Sequence, residues 1–373
     1  MREQEGVLPL PSLMEAWRPP SGGKRTLLGA YLRVRPGGSG AAGRGRPTTL
    51  SQAEARAKLE RIVRKAPEVM VKVSGKQYGA HHLAEHFGYV ARHGKLAVRS
   101  SEGEIIDDPR RLKEIAQDWT MLDDAMNEHG RERPTSLSLV LSMPGGSTDA
   151  QTLHDAAQAF ARILFEDNHA YMLALHTDTD HPHVHLTVAT EGADGTRFNP
   201  RKADLHHMRE TFAYELRARG IAAEATPRRA RGHVQKRVRS AARHLDARLG
   251  PEGRKLNLEQ LNELRAQAFV RASDQERRAE DVLALFRQKQ IRGAYAEAAA
   301  ALAGTGKEED RALAQDVAGF LAAMPPAVSR RLARAREILR SAGVPQDRAL
   351  PLQDGSSPGR ADERRPPGRD RER

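Results

Sequence analysis

The sequence predicts an α+β domain with an antiparallel-rich central sheet and packed helices, followed by a helical C-terminal region. Three observations lead there. Helical and strand-like patterns are interspersed, without the steady strand–helix rhythm of a doubly wound fold. The two strand patterns nearest in sequence, residues 171–176 and 183–188, are joined by a turn too short for a crossover, so they pair as an antiparallel hairpin. Beyond Gly220 the texture changes to a basic run and then to stretches rich in Ala, Glu, Leu and Arg.

Residues 1–47 are rich in Pro, Gly and Arg, a composition that buries too little apolar surface to order itself, and read as a disordered leader. The main domain is expected over 48–232. A helix is predicted from a Thr48/Thr49 cap toward Lys65. Val69-Met-Val-Lys-Val73 alternates at period two, the mark of a strand with one buried face. Over 80–92, Leu83, Phe87 and Val90 recur at helical spacing, Tyr89 lies inside the helix, and Gly94 supplies the stop. Short strands follow at 96–99 and 104–106. Pro109 opens a helix through Trp119 toward His129. A strand at 137–142 and a helix at 149–166 lead into the hairpin. Residues 233–345 read as helical, a candidate for binding DNA or partner proteins, and 346–373 as a disordered tail.

The 61 Lys and Arg exceed the 49 Asp and Glu, giving a net charge of +12 and pointing to a polyanionic partner, nucleic acid before membrane. No run approaches the roughly 20 apolar residues that span a bilayer, and the N-terminus lacks the order of a secretory signal. No membrane insertion and a cytoplasmic location are therefore expected. Having no cysteine, the chain has no disulfide, no thiolate nucleophile and no Cys-based zinc site; a metal must be held by His, Asp or Glu, and 15 histidines supply it.

The chemistry concentrates in His176-Thr-Asp-Thr-Asp-His-Pro-His-Val-His185. Residues two apart on a strand share a face, so His183 and His185 present both imidazoles to one ion. The hairpin brings His176 beside them, making three nitrogen ligands with positions left open for water or phosphate oxygens. Asp178 shares the parity of His176 and serves either to orient an imidazole or to accept a proton. His181, in the turn before Pro182, is left as a solvated or substrate-facing residue. One such histidine alone would be surface decoration; three beside the apolar Leu186 and Val188 are not.

The pattern His176-x-Asp178-x-x-x-x-His183-x-His185 resembles the third motif of the relaxases, the mobilization nucleases of conjugative plasmids and integrative elements (MOBP-like), within the HUH endonucleases. The flanked hydrophobic residue is Val184. His82-Leu-Ala-Glu-His-Phe-Gly-Tyr-Val-Ala-Arg92 resembles the first motif, a helix carrying the nucleophilic tyrosine. The likeness continues through Arg197-Phe-Asn-Pro-Arg-Lys-Ala-Asp-Leu205 and Ala225-Thr-Pro-Arg-Arg-Ala-Arg-Gly232. It implies a DNA-nicking, strand-transferring enzyme. In such an enzyme a divalent metal, Mg or Mn before Zn, polarises a scissile phosphate of single-stranded transfer-origin DNA, and a tyrosine attacks it. The products are a 3′-hydroxyl and a 5′-phosphotyrosine that can later be rejoined. Relaxosome accessory proteins and a coupling protein are the implied partners, with the enzyme cytoplasmic or carried with DNA into a recipient cell.

On this resemblance the metal ligands are His176, His183 and His185, and the catalytic residues Tyr89 and Asp178. Tyr78 is the rival nucleophile, in a loop flanked by Gly75 and Gly79; the structural alternative for Tyr89 is a core aromatic beside Phe87 and Val90. Arg92, Arg197, Asn199, Arg201, Lys202, Arg228, Arg229 and Arg231 are the candidate DNA contacts. The last three open a run to Arg248 with eight basic residues and one acid. Aromatic content of 4% argues against extensive base stacking. Two other readings stay open: a metal hydrolase on a TIM barrel, which also uses His-x-His strands, and a non-catalytic basic DNA-binding accessory protein.

Overall fold

The computed structural model describes residues 51–127, 130, 132–179, 181–232, 263, 264, 266, 267, 279–325 and 330–341, together with Leu13 and Trp17. The expected leader apart from those two residues, the basic run past Gly232 and the tail from 346 lie outside the described residues. The chain divides into two compact units, one of residues 1–231 with 294–323 and one of 232–293 with 324–373.

In the first unit, helix α1 (Gln52–Val63) opens on a reciprocal capping box, not at Thr48 or Thr49. The Ser51 hydroxyl accepts the Glu54 N–H at 3.2 Å and the Glu54 carboxylate accepts the Ser51 N–H at 2.8 Å. Strand β1 (Met70–Gln77) runs past the expected 69–73, because a bulge between Val73 and Gly75 lets pairing continue to Gln77. Helix α2 (Gly79–Val90) stops short of Gly94: Arg92 and His93 adopt left-handed φ of 53° and 56°. Strands β2 (Val98–Ser100) and β3 (Ile105–Ile106) follow.

Helix α3 (Pro109–Ala125) has Asp108 as cap and Pro109 in its first turn. It ends before His129 because the Asn127 N–H turns back to the nearer Asp124 carbonyl. Strand β4 (Ser136–Ser142), helix α4 (Ala150–Phe165, capped by Asp149), strands β5 (Tyr171–His176) and β6 (His183–Ala189) and helix α5 (Lys202–Ala218) complete the main body. The end of α6 (Ala279–Gly304) and α7 (Glu308–Ala323) also belong to this unit. The second unit holds the start of α6 and α8 (Arg330–Ser341).

The six strands form one sheet in the order β1-β4-β6-β5-β2-β3, antiparallel throughout. The α+β class is thus realised, and an antiparallel sheet excludes the parallel barrel that a TIM-type hydrolase requires. Alternation sorts the residues by face. Leu137, Leu139 and Leu141 of β4, Val184, Leu186 and Val188 of β6, and Tyr171 and Leu173 of β5 pack on α4 and α5 around Phe160, Phe165 and Phe212. Full burial of such a side chain contributes roughly 1.5–3 kcal/mol, so this layer fixes the register of the whole sheet. The opposite face carries Ser136, Ser138, Thr187, His185, Ala174 and His176. Its β5 and β2 side is closed by α2 and α3 through Leu83, Phe87, Val90, Leu112 and Ile115.

Helix α1 is clipped to this body by buried charge. Glu224 takes Lys58 at 3.4 Å and Arg61 at 2.8 Å. Of the expected leader, Leu13 and Trp17 are helical and buried, and the Trp17 indole N–H donates to the Tyr295 hydroxyl at 3.1 Å. No helix among the described residues is long and apolar enough to cross a membrane.

Candidate active site

Two paired strands build the centre. His176 ends β5 and His183 begins β6, and the two are direct partners in the ladder; His185 lies two residues on, opposite Ala174. Partners in a ladder share a face, so all three imidazoles converge. Ring centroids are 4.5 Å apart for His176 and His185, 5.1 Å for His183 and His185, and 5.3 Å for His176 and His183. One nitrogen from each lies within 4.8 Å of the others.

The surrounding groups set which nitrogens are available. His176 Nε2 lies 2.8 Å from the Val90 carbonyl, an acceptor only, so Nε2 carries the proton and Nδ1 keeps a lone pair. His183 Nδ1 sits 3.0 Å from the His181 carbonyl, which leaves its Nε2 as the ligand atom. His185 Nδ1 is buried with no hydrogen-bond partner. Burial, reinforced by the two neighbouring imidazoles, pushes the His185 pKa down to about 3. Burial also lowers His176, against the Val90 carbonyl, which favours its protonated form. Converging imidazoles, His176 and His185 held toward their neutral form by burial, with an orphaned buried nitrogen suit a divalent cation, and the residues fit one.

Tyr89 reaches this centre from the last turn of α2. Its ring meets His185 edge-on with centroids 6.2 Å apart, and it is 55% exposed while Phe87 and Val90 beside it are buried. The core-aromatic alternative therefore fails for Tyr89. Tyr78 caps the opposite end of the same helix, stacked on His82. Eleven residues at 1.5 Å each separate the two tyrosines by roughly 16 Å.

The left-handed turn after α2 swings Arg92 inward. Its Nη2 donates to Asp178 at 2.5 Å and lies 3.1 Å from His176 Nδ1. Asp178 thus reaches the histidines through Arg92, and both side chains remain part-exposed. His86, one turn before Tyr89, went unpredicted. Its Nε2 lies 2.7 Å from the Ser138 hydroxyl and 3.0 Å from that of Thr187, tying α2 to β4 and β6. Burial, then His82, pushes its pKa down to about 4, so it holds the helix as a neutral group. The readable signal was the spacing of His82, His86 and Tyr89 along one helix face.

The proposed DNA contacts separate into three groups. Arg92 lies at the centre. Arg228, Arg229 and Arg231 form a 3-10 turn close to the start of β1, where Val69 bonds Glu224 and Arg231 pairs with Glu68 at 3.1 Å. That start, at Met70, pairs with Ser142 and so sits at the triad's end of the sheet. Arg197 lies instead at the far end of β6, where Phe198 bonds Thr190. Its terminal nitrogens are taken by Asp123 at 2.5 Å, Glu191 at 2.6 Å, the Pro134 carbonyl at 2.8 Å and Thr190 at 3.0 Å. Arg197 therefore holds two buried carboxylates in place. Asn199, Arg201 and Lys202 follow it and are exposed, but five residues of strand from His185 to Thr190 put this region roughly 17 Å away.

Residues 89–221 match the family model "Relaxase: MobA/VirD2-like, nuclease domain". The T-DNA border endonuclease VirD2 of Rhizobium radiobacter is 26% identical over 166 residues, which cover 40% of this chain and 39% of that protein. VirD2 of Agrobacterium fabrum is 25% identical over 165 residues, covering 40% and 37%. The chain thus spans about two-fifths of the length of these relatives. A solved structure titled "Molecular Basis of Vancomycin Resistance Transfer in Staphylococcus aureus" aligns with a TM-score of 0.30 at 14% identity, covering 43% of this chain and 99% of its own. The family match begins at Tyr89 and takes in all three histidines, and with it the chain is placed as one carrying a MobA/VirD2-like relaxase nuclease domain of the HUH superfamily.

Proposed function

We propose that this protein nicks single-stranded DNA at a transfer origin through Tyr89 and holds the cut end as a 5′-phosphotyrosine until the strand is rejoined. The observation that carries the reading is the exposed Tyr89 ring against His185, at the mouth of three converging histidines.

His176, His183 and His185 would hold a divalent cation, which supplies positive charge to a bound phosphate and lowers the cost of forming a phenolate. Manganese suits this all-nitrogen donor set better than magnesium, which prefers oxygen ligands. The Tyr89 oxygen bonds to phosphorus as the P–O3′ bond breaks. Asp178 takes the phenolic proton and returns it through solvent to the leaving 3′-oxygen, which ends as a hydroxyl. Arg92 holds the Asp178 carboxylate and directs part of its guanidinium toward the phosphate. His86 keeps α2 seated, so the phenol stays over His185. A phosphotyrosyl ester preserves the energy of the phosphodiester, so the reverse attack by a 3′-hydroxyl reseals the strand without a further energy source. Arg228 and Arg229, at the same end of the sheet, contact the DNA backbone near the nick; Asn199, Arg201 and Lys202 contact it farther off. Relaxosome proteins and a coupling protein are the partners of such a reaction, with residues 233–345 as their docking region.

The test is incubation with labelled single-stranded origin DNA and manganese or magnesium, followed by a denaturing gel. A protein–DNA adduct is expected, absent in Tyr89→Phe, retained in Tyr78→Phe and lost with EDTA. Replacing His183 and His185 by Ala removes the adduct and keeps DNA binding. No adduct with either metal would overturn the reading and leave a non-catalytic DNA-binding protein.

A further inference from the structure

The register of the sheet places a lysine in line with the histidines. Lys72 of β1 pairs with Val140 of β4, Val140 pairs with His185 of β6, and His185 pairs with Ala174 of β5. Direct partners share a face, so Lys72 stands on the face that carries the three imidazoles. Two strand spacings of about 4.8 Å separate it from His185, roughly 10 Å in all. The neighbouring row runs Met70, Ser142, His183, His176. In these two rows Val140 and Ser142 of β4 stand between the edge strand and the histidines, and both are nearly inaccessible.

Helices α2 and α3 close this face over β5 and β2, and the edge at β1 stays open: Met70, Lys72 and Ser74 are all exposed. The Lys72 ammonium has no hydrogen bond or ion pair among the described residues, unlike Lys58 and Arg61 of α1, which are spent on buried carboxylates. The bulge between Val73 and Gly75 makes Lys72 distinct. Past it, Lys76 pairs with Leu137 and turns to the opposite face, toward α4 and α5. Of the two lysines on this strand, one faces the site and one does not.

We propose that Lys72 forms a second phosphate subsite, binding a phosphodiester of the single-stranded DNA next to the one presented to Tyr89. This rests on the nuclease reading above. A flexible four-carbon stem with a hydrated ammonium suits a backbone phosphate, where charge and reach matter more than fixed geometry. The DNA then runs from Lys72 at the exposed edge toward the catalytic centre, held by one at each end. Lys72 positions the substrate and takes no part in bond making.

The experiment measures binding of the full-length protein to a fluorescein-labelled oligothymidylate across a range of salt concentrations. Each phosphate contact adds about 0.7 to the slope of log affinity against log salt for single strands. Lys72→Ala should flatten that slope by about 0.7, Lys72→Arg should restore it, and Lys76→Ala should leave it unchanged. An unchanged slope in Lys72→Ala, or an equal loss in Lys76→Ala, overturns the proposal. The adduct assay on the unaltered protein reports separately: if it forms no adduct the nuclease reading fails, whereas a wild-type adduct with an unchanged Lys72→Ala slope sinks only the subsite.

Discussion

At the scale of single residues, identity proved a weaker guide than partners. Arg197 and Arg92 looked alike in the sequence, two arginines in motifs of a DNA-handling family. Arg197 spans Asp123 and Glu191, both nearly inaccessible and shared with Arg133, so its removal leaves one arginine for two buried carboxylates. Breaking a buried ion pair costs about 3–5 kcal/mol. Arg197→Met is therefore expected to lower the unfolding free energy by that order while leaving the salt dependence of DNA binding intact. Chemical denaturation and the anisotropy titration measure the two separately, and a lost phosphate contact without lost stability would contradict the assignment. The three histidines were legible because strand parity and a short turn fix their convergence whatever surrounds them. The groups that set their protonation, the Val90 carbonyl and the Arg92 guanidinium, were not. They arrive through a left-handed turn at Arg92 and His93, two residues and one residue ahead of the glycine that marks the stop.

At the scale of elements, most of the strands and helices were readable from period and caps, and the ends were set by particular hydrogen bonds. The Ser51 box, the Asn127 turn and the β1 bulge each moved a boundary. Strand β4 shows what alternation hides. Its Ser-Leu-Ser-Leu pattern suggests one wet face, yet every residue is buried, because α2 lowers His86 onto Ser138. The attachment of α1 leads to a prediction about pH. Burial alone would raise the Glu224 carboxyl, but Lys58, the Ala225 N–H and Arg61 together hold it below the usual carboxylate range. A depressed folded-state pKa contributes stability that is present above the unfolded value of about 4.3 and is lost as pH falls through the folded value. Glu224→Gln should thus be destabilised at pH 7 and should converge on the parent protein in acid. Melting curves across that range check it; a gap that stays constant with pH would exclude this carboxylate as the cause.

At the scale of the molecule, the sheet-bearing unit recruits chain from both ends of the sequence. Tyr295 of α6 is fully buried, packs against Phe320 of α7 with centroids 5.2 Å apart, and accepts the Trp17 indole across 278 positions. Helix α7 adds the pairing of Asp310 with Arg56 of α1 at 2.9 Å. The local signal is short: Leu10, Leu13, Met14 and Trp17 recur at helical spacing inside a Pro- and Gly-rich stretch, and α6 reads as one uniform Ala-rich helix although its two ends belong to different units. The nuclease sheet is therefore expected to depend on residues outside the segment that matches the relaxase family. Tyr295→Ala, an aromatic-to-alanine change in a closed core, should cost about 3–5 kcal/mol. At about 2–4 °C per kcal/mol for a body of this size, that is a readily measured drop in Tm. Phe286→Ala, nine residues earlier on the same helix but 49% exposed, should stay within about 0.5 kcal/mol. Equal, small shifts for both would mean that the C-terminal helices do not support the sheet. A fall for Tyr295→Ala alone, accompanied by loss of the tyrosine adduct at the temperature where that variant melts, would show that the active centre relies on a helix more than a hundred residues after His185.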